Sequence, residues 1–483
     1  THFEAMAPSE SAGEDSKSSS ASKKNKLLIN DDDTTVVTLT LEEQTQAVQS
    51  LCKLISYPTV SATSVSTGAY VECARYLISE LESISCLSNV HILEESPGHS
   101  PVVVACWEGA DPKLPIILLN SHYDVVPALE EDWTVDPFRG FVQDGKIYGR
   151  GAQDMKCVCV QYMEAIRVLT RLSFQPQRSI YLSFVPDEEV GGGGMAALLE
   201  SKLYQELPGI ALALDEGLAS ETETYSVFYG ERLPWWVGVE AHGNTGHGSR
   251  FIESTAVEQL IALANKALEF RKGQRDLLFG EGKHAGCAHG VAKKKKLGDV
   301  TTINITTMQA GVQVADTYAY NCCPPVAKCS LDIRISPHVE PSEMKDLLDG
   351  WCKECSKPGV PGLSWDFIGG EGNKAMGHHI TSTDAKINPW YNVFATAITN
   401  MGMSLEPEVF PAATDSRFLR ALGVRALGFS PMRNSEIMLH ENDEYLLESV
   451  FLEGIRVYVG VIRALASQGK DVDDVAETGS SKA

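Results

Sequence analysis

The chain has 483 residues, 43% of them hydrophobic and 22% charged, which is typical of a soluble globular protein and not of a disordered or membrane-spanning chain. Its 64 acidic and 41 basic residues give a formal charge of -23, which disfavours nucleic acid as a partner because phosphate backbones are negatively charged as well. Twelve cysteines are too few for a disulfide scaffold, and we find neither a secretory signal nor an apolar run of membrane-spanning length. We therefore expect reduced thiols, a cytoplasmic location and no membrane partner.

Composition along the chain predicts a polar leader, an α/β unit and a second unit inserted into it. The leader is rich in Ser, Lys, Asp and Thr, which predicts disorder. Near residue 234 the pattern changes to alternating strand residues, and near residue 371 the first pattern resumes. We predict a disordered leader (1–41), a first domain in two parts (42–232 and 371–468), an inserted α+β domain (233–370) and a polar tail (469–483).

Three apolar runs in the first domain predict buried strands of a mostly parallel sheet. They span residues 115–120, 179–185 and 210–214, and they alternate with helical patterns, as in α/β proteins. Each run stops directly at a cluster of His, Asp or Glu. Because ligands collect at the carboxyl ends of strands in open α/β sheets, these clusters predict one functional site.

The first run is followed by His122 and Asp124. Side chains two apart on an extended segment point to the same side, so Asp124 can reach the ring nitrogen of His122 that does not bind a metal. Asp154 follows a glycine-rich stretch and precedes the helical pattern at 157–172, where a carboxylate can be shared between two cations. The simpler interpretation of Asp154 alone is a helix N-cap.

Further carboxylates and a second histidine complete the set. Asp187, Glu188 and Glu189 follow the second run, and adjacent carboxylates at a buried strand end repel one another unless cations neutralise them. A solvated acidic turn is the alternative. Glu216 follows the third run, and His440 lies far downstream. Two imidazoles with several carboxylates are the ligand set expected for zinc or a similar divalent ion.

The inserted domain has its own sequence of predicted elements. They are a helix at 254–270, a Gly- and Lys-rich loop at 275–300, strands at 301–308 and 328–335, and a helix at 342–352. Within the loop, the basic run from Lys293 to Lys296 is interpreted as solvated rather than as a targeting or anion-binding signal.

From residue 42 to 468 the chain resembles the zinc-dependent aminoacylases and their carboxypeptidase G and desuccinylase type relatives. Beyond the His, Asp and Glu clusters, four strings resemble aminoacylases in particular: WTVDPF (133–138), SVFYGERLPWW (226–236), ATDSR (413–417) and ALGFSPM (426–432). The resemblance implies a di-zinc exopeptidase-like catalytic domain with an inserted dimerisation or lid domain. It also implies hydrolysis of N-acyl-L-amino acids to a free amino acid and a carboxylate.

Carried over to this sequence, the resemblance implies two Zn²⁺ per subunit. His122 and Glu189 would bind one ion, Glu216 and His440 would bind the other, and Asp154 would bridge them. Glu188 would act as the general base, and Asp124 would orient His122.

The resemblance also implies a homodimer and a small-molecule substrate. His247 of the inserted domain would help to polarise the scissile carbonyl across the dimer interface, assisted by Asn321 and Arg334. Arg417 would bind the substrate carboxylate. The segment 309–325 is longer than its counterpart in aminoacylases, which leaves the assignment of Asn321 open.

Two other functions are compatible with these residues. A dipeptidase or carboxypeptidase would use the same chemistry and would differ in its preference for dipeptides over N-acetyl-methionine. A zinc-stabilised binding protein would have no use for Glu188, because a structural zinc site is closed and leaves no carboxylate beside it without a ligand role.

Overall fold

The computed structural model describes residues 37–94, 96, 98, 100–280, 295–369 and 377–474. In chain order the strands are β1 (Ser88–Ile92), β2 (Val103–Trp107), β3 (Ile116–His122), β4 (Phe141–Gln143), β5 (Lys146–Tyr148), β6 (Ile180–Val185), β7 (Ile210–Asp215), β8 (Thr224–Glu231), β9 (Leu233–His242), β10 (Gly246–His247), β11 (Thr302–Ala310), β12 (Gln313–Val314), β13 (Thr317–Tyr318), β14 (Cys322–Cys323), β15 (Val326–Ile335), β16 (Gly362–Phe367), β17 (Ser404–Phe410), β18 (Ala426–Gly428) and β19 (Tyr445–Leu447). The helices are α1 (Leu41–Ile55), α2 (Ser64–Thr67), α3 (Ala69–Glu82), α4 (Lys156–Arg171), α5 (Gly193–Glu200), α6 (Lys202–Glu206), α7 (Ala256–Phe279), α8 (Pro341–Cys355), α9 (Pro389–Asn400), α10 (Ser416–Ala421) and α11 (Glu448–Ala466).

An eight-stranded sheet of order β1-β2-β6-β3-β7-β18-β8-β17 forms the larger layer. The ladders joining β6, β3, β7 and β18 are parallel, as is the ladder between β8 and β17, which confirms the predicted mostly parallel sheet. Every residue of β3 is buried, because apolar side chains on both faces of this strand meet helices. Core residues of α4, α9 and α11 cover one face, and core residues of α5 and α10 cover the other.

A four-stranded antiparallel sheet of order β11-β15-β9-β16 forms the smaller layer, with its own apolar core. Alternate residues of β9 and β15 are buried, which is the period of two expected when one face of a sheet is covered. Helices α7 and α8 supply the cover. This sheet lies within the predicted inserted domain, although the domain boundaries themselves stay predictions.

Three predicted segments have ordered residues near their ends. At the end of the predicted leader, Val37 and Leu39 pack against the core and Thr40 caps α1. Helix α7 continues to Phe279, so the predicted loop at 275–300 begins later than expected, and its residues 281–294 lie outside the described ones.

The predicted polar tail is also packed at its start. The buried guanidinium of Arg178 donates hydrogen bonds to the backbone carbonyl of Gly469 and, over 2.7 Å, to the carboxylate of Asp473. Val472 is buried as well. The remainder of the tail and residues 1–36 lie outside the described residues. Among the helices that the structure describes, none combines the length and the apolar character needed to cross a bilayer.

Candidate active site

The site lies at one edge of the large sheet. Strands β6, β3 and β7 are parallel neighbours, so their carboxyl ends meet at the same edge. His122 ends β3, the Asp187 to Glu189 cluster follows β6, and Glu216 follows β7. Two residues from elsewhere join them, Asp154 ahead of α4 and His440 ahead of β19. All five predicted metal ligands are thereby brought together.

The five residues form two donor triads that share Asp154. In the first triad, the Nε2 atom of His122 lies 3.2 Å from Oδ1 of Asp154 and 3.5 Å from Oε2 of Glu216. In the second, the Nε2 atom of His440 lies 3.3 Å from Oδ2 of Asp154 and 3.3 Å from Oε2 of Glu189. Within each triad the donor atoms all lie within 4.8 Å of one another. Asp154 therefore gives one carboxylate oxygen to each triad, which is the arrangement of a bridging ligand.

The structure groups the expected ligands differently from the resemblance. The resemblance implied Glu189 with His122 and Glu216 with His440, whereas in the structure Glu216 lies with His122 and Glu189 lies with His440. The reason is local. Glu189 lies in a short 3₁₀ turn, Glu188–Val190, that turns away from the end of β6, whereas Glu216 continues directly from β7 beside His122.

The electrostatics of the triads fit two cations. Burial and then the charge of Asp154 raise the pKa of Glu189, and burial raises the pKa of Glu216 well above its ordinary value. Burial alone would lower the pKa of His122, but hydrogen bonds to Asp124, Asp154 and Glu216 raise it well above 6.5. The two triads contain three carboxylates and two imidazoles, and the buried Oε1 atom of Glu189 has no hydrogen-bond partner among the described residues. Such an arrangement is chemically suited to divalent ions.

Glu188 is a buried carboxylate beside the triads that belongs to neither of them. Burial, and next the charge of Glu216, raise its pKa well above the ordinary value. The turn that carries it is fixed from both sides. The backbone N–H groups of Glu188 and Glu189 donate to the carboxylate of Asp124 over 3.1 and 3.2 Å, and the Tyr70 hydroxyl donates to Asp187 over 2.9 Å.

Asp124 orients His122 differently from the expectation. The Nδ1 atom of His122 lies 3.0 Å from the backbone carbonyl oxygen of Asp124 and 3.4 Å from its Oδ1 atom. The backbone carbonyl of Asp124 makes the closer contact to the His122 ring. The Asp124 carboxylate can therefore accept the hydrogen bonds from the backbone of the Glu188 turn. Asp124 thus links the end of the first apolar run to the turn that follows the second run, and strand spacing alone did not indicate this.

His247 and Asn321 are brought together in the smaller layer. His247 on β10 is paired in register with Cys322 on β14, and the carbonyl of Asn321 accepts a hydrogen bond of 2.7 Å from the Gly248 N–H. Both side chains are exposed, and the ring of His247 contacts the Ser249 hydroxyl over 2.7 Å. Across the part of the chain that the structure describes, no hydrogen bond or ion pair joins either side chain to the donor triads.

The two predicted arginines lie at separate places. Arg334 on β15 pairs with Asp332 over 2.7 Å, on the face of the small sheet opposite to its helices. Arg417 lies in the first turn of α10 and donates to the Thr414 carbonyl over 3.2 Å, and its Cζ atom lies 4.5 Å from the centre of the Phe418 ring. It lines a small cavity of about 20 Å³ together with Glu231, Arg232, Leu233, Pro234, Gly377, His378, His379 and Ala413.

A larger groove of about 770 Å³ covers the outer face of the small sheet, and none of the predicted site residues lines it. Sequence reasoning also missed Arg150 and Glu444, two buried charges whose contacts reach the backbone of Asp154 and His440. The only signal for Glu444 was its position four residues after His440.

Comparison with known proteins agrees with this architecture. The sequence profile described as Peptidase family M20/M25/M40 matches residues 118–464. Aminoacylase-1 of Dictyostelium discoideum is 43% identical over 373 residues, covering 76% of this chain and 86% of the relative. Aminoacylase-1 of Sus scrofa is 43% identical over 377 residues, covering 78% and 86%. An M20 family metallo-carboxypeptidase from Sulfolobus solfataricus superposes with a TM-score of 0.61 at 19% identity, covering 87% of this chain and 99% of that one, and shows the fold alone.

Proposed function

The chain belongs to the aminoacylases of peptidase family M20/M25/M40, and we propose that it hydrolyses the acyl-amide bond of N-acyl-L-amino acids to a free amino acid and a carboxylate. One observation carries the proposal. Two donor triads share Asp154, and the buried carboxylate of Glu188 stands beside them without belonging to either. A site that only holds metal for stability has no use for such a carboxylate, whereas a hydrolase needs it to move a proton.

The donor set supports two Zn²⁺ per subunit. His122, Asp154 and Glu216 would hold one ion, and Asp154, Glu189 and His440 would hold the other. Imidazole with carboxylate oxygen is a ligand combination that zinc favours. Bound divalent ions would supply acidification of a water molecule and polarisation of the acyl carbonyl.

Glu188 would accept the proton of the attacking water and later deliver it to the departing amine. Its burial and its raised pKa support both steps, because a carboxylate of higher basicity accepts a proton more readily near neutral pH. Asp124 would keep the carboxylate in place by holding the backbone of the turn.

Arg417 would bind the substrate carboxylate. A guanidinium presents two parallel N–H groups to a carboxylate, and a chain with a net charge of -23 needs a local cation to attract an anionic substrate. The contacts of Arg417 with the Thr414 carbonyl and the Phe418 ring reduce the number of conformations open to its side chain, which favours such binding.

The inserted domain would complete the site from a second subunit. His247 would polarise the scissile carbonyl, with Asn321 beside it. Arg334, which forms an ion pair with Asp332, would assist by donating to the substrate as well. The exposure of His247 and Asn321 supports a role that is fulfilled only when another surface reaches them. We accordingly propose a homodimer that works in the cytoplasm.

A metal-depletion experiment tests the proposed function. The chelator-treated chain should not hydrolyse N-acetyl-methionine, and added Zn²⁺ should restore hydrolysis with two ions bound per chain. Dipeptides should be cleaved more slowly than N-acetyl-methionine. Faster cleavage of dipeptides would identify a dipeptidase, and full metal binding without hydrolysis of either substrate would identify a binding protein.

A further inference from the structure

Two loops that are far apart in the sequence carry the ligands of the second triad. The Asp154 loop is residues 149–154, and the His440 loop is residues 436–445. Gln153 connects them, because its amide group donates to the carbonyl of Glu436 over 3.0 Å and to the carbonyl of Tyr445 over 2.8 Å. The relative position of Asp154 and His440 therefore depends on contacts between these loops.

Glu444 makes the largest number of these contacts. Its side chain is fully buried, and all its polar contacts are to the Asp154 loop. One carboxylate oxygen accepts from Arg150 over 2.9 Å and from the Gly151 N–H over 3.1 Å. The other accepts from the N–H groups of Gln153 and Asp154 over 2.6 and 3.3 Å. The carboxylate of Glu444 thus fixes the backbone on which Asp154 is mounted.

Arg150 makes the reciprocal contacts. Its guanidinium is buried against the Trp133 ring and donates to the carbonyls of Glu441 and His440 over 3.1 and 3.3 Å. His440 itself has a φ of 62°, a conformation that a residue other than glycine keeps only when its surroundings impose it. The carbonyl contact from Arg150 is part of what imposes it.

We propose that the buried Arg150–Glu444 pair positions Asp154 and His440 as a unit and so sets the affinity of the triad Asp154, Glu189 and His440 for a divalent ion. The inference rests on the proposed metal site. Both members are positioning residues, since neither offers an atom to a triad.

The number and direction of the contacts favour positioning over a purely stabilising role. Burying an ion pair costs desolvation that its attraction often does not exceed, so a pair of this kind is weak evidence for stability alone. Here every hydrogen bond of the pair ends on the loop of a ligand. His122 ends β3 and Glu216 directly follows β7, so neither depends on these loops. The first triad shares only Asp154 with them and should be less affected.

Zinc titration of the metal-free, full-length chain tests the inference. We compare the unmutated chain with Glu444→Gln and Arg150→Lys by competition against a chromophoric chelator. Glu444→Gln should weaken the ion of the triad Asp154, Glu189 and His440 roughly 10- to 100-fold and weaken the other ion less, because the first triad shares only Asp154 with the two loops. Arg150→Lys keeps the charge beside Glu444 but cannot reach both carbonyls, so it should weaken the same ion by a smaller factor.

Asp473→Asn is the matched control, because it breaks the ion pair of another buried arginine, Arg178, at the opposite end of β3. It should lower the thermal midpoint and leave both zinc affinities unchanged. Unchanged affinities in Glu444→Gln and Arg150→Lys, or an equal loss in Asp473→Asn, would overturn the inference. If Glu444→Gln does not fold, Arg150→Lys decides alone. Failure of the unmutated chain to bind zinc would instead overturn the proposed function, and the inference with it.

Discussion

The large-sheet region and the small-sheet region hold their predicted residues in opposite ways. At the edge of the large sheet, three of the five donor residues and Glu188 are buried, and Asp124, Arg150 and Glu444 fix the backbone around the site. In the small-sheet region, His247 and Asn321 are exposed and contact only their near neighbours. The first group is organised before substrate arrives, whereas the second needs another surface to become part of a site.

The largest expected effect is in the large-sheet region, where it distinguishes the roles of the adjacent residues Glu188 and Glu189. Glu188→Gln should reduce turnover on the order of a hundredfold to ten-thousandfold, because it removes a group that transfers a proton. The variant should keep two zinc ions and still bind substrate, as shown by single-turnover kinetics together with metal analysis.

Glu189→Gln is the matched comparison. This change should lose zinc and recover part of its activity in excess metal, since it removes a donor atom 3.3 Å from His440. If Glu188→Gln lost metal while Glu189→Gln kept both ions, the two roles would be reversed.

The second prediction concerns the exposed region. His247→Ala should reduce the turnover number roughly 100- to 1000-fold, as removal of a donor to a developing oxyanion does, with zinc content unchanged. Mixing this variant with Glu188→Ala should restore part of the activity, because a mixed dimer would contain one complete site. Verified mixed dimers without activity would contradict a site shared between subunits.

The comparison also shows how far the sequence predicts the site. Four of the five proposed donors follow a buried strand run or a glycine-rich turn that points to one edge of the sheet, whereas His440 follows neither and was assigned its ligand role through the family resemblance. Which of these donors share a triad could not be predicted from the sequence. Since β3 lies between β6 and β7, His122 has an acidic strand end on either side, and only the three-residue turn after β6 decides that Glu189 meets His440.

Polar contacts between residues far apart in the sequence could not be predicted either. Arg150 and Glu444 are 294 residues apart, and either one alone has the sequence signature of an ordinary surface charge. The extension of α7 to Phe279 was missed because its last two turns are exposed and have no strong apolar period to mark the end. Strand runs with buried faces were predicted well because burial imposes a pattern that the sequence retains.

The third prediction tests the cavity where the two regions meet. Arg417→Ala should raise the Michaelis constant for N-acyl amino acids roughly 10- to 100-fold, because charge-assisted hydrogen bonds to the carboxylate are lost. Arg417→Lys should recover little, since a lysine does not present two parallel donors. Arg433→Ala removes the same charge elsewhere, where it pairs with Glu453, and should leave the constant unchanged. Equal activity of the unmutated chain on esterified and free-acid substrates would count against a carboxylate contact.

The smallest expected effect tests, in the large-sheet region, how burial without a metal site raises the pKa of a carboxylate. Glu164 on α4 is buried, but it does not belong to a donor triad. Among the described residues, its ion-pair partner is Arg167, whose Nε atom lies 3.3 Å from the Oε1 atom of Glu164. Burial raises the pKa of Glu164 from 4.5 to about 7. The folded chain therefore holds this proton more tightly than the unfolded chain does, and the free energy of unfolding should fall as pH rises from 4.5 to 7.

Glu164→Gln should remove that pH dependence. Its gain in stability should be near zero at pH 4.5 and should increase to a plateau above pH 7, with an upper limit of roughly 3 kcal/mol for a shift of this size. Glu453→Gln should act in the opposite direction. Although burial opposes it, hydrogen bonds from Arg433 and Tyr225 lower the pKa of Glu453, so its stabilising contribution is present above pH 4.5 and is lost below. Chemical denaturation of both variants between about pH 2.5 and 8 measures the two slopes. A gain for Glu164→Gln that does not vary with pH would mean that the substitution relieves poor packing, and burial alone would then not explain the raised pKa values of carboxylates in this region.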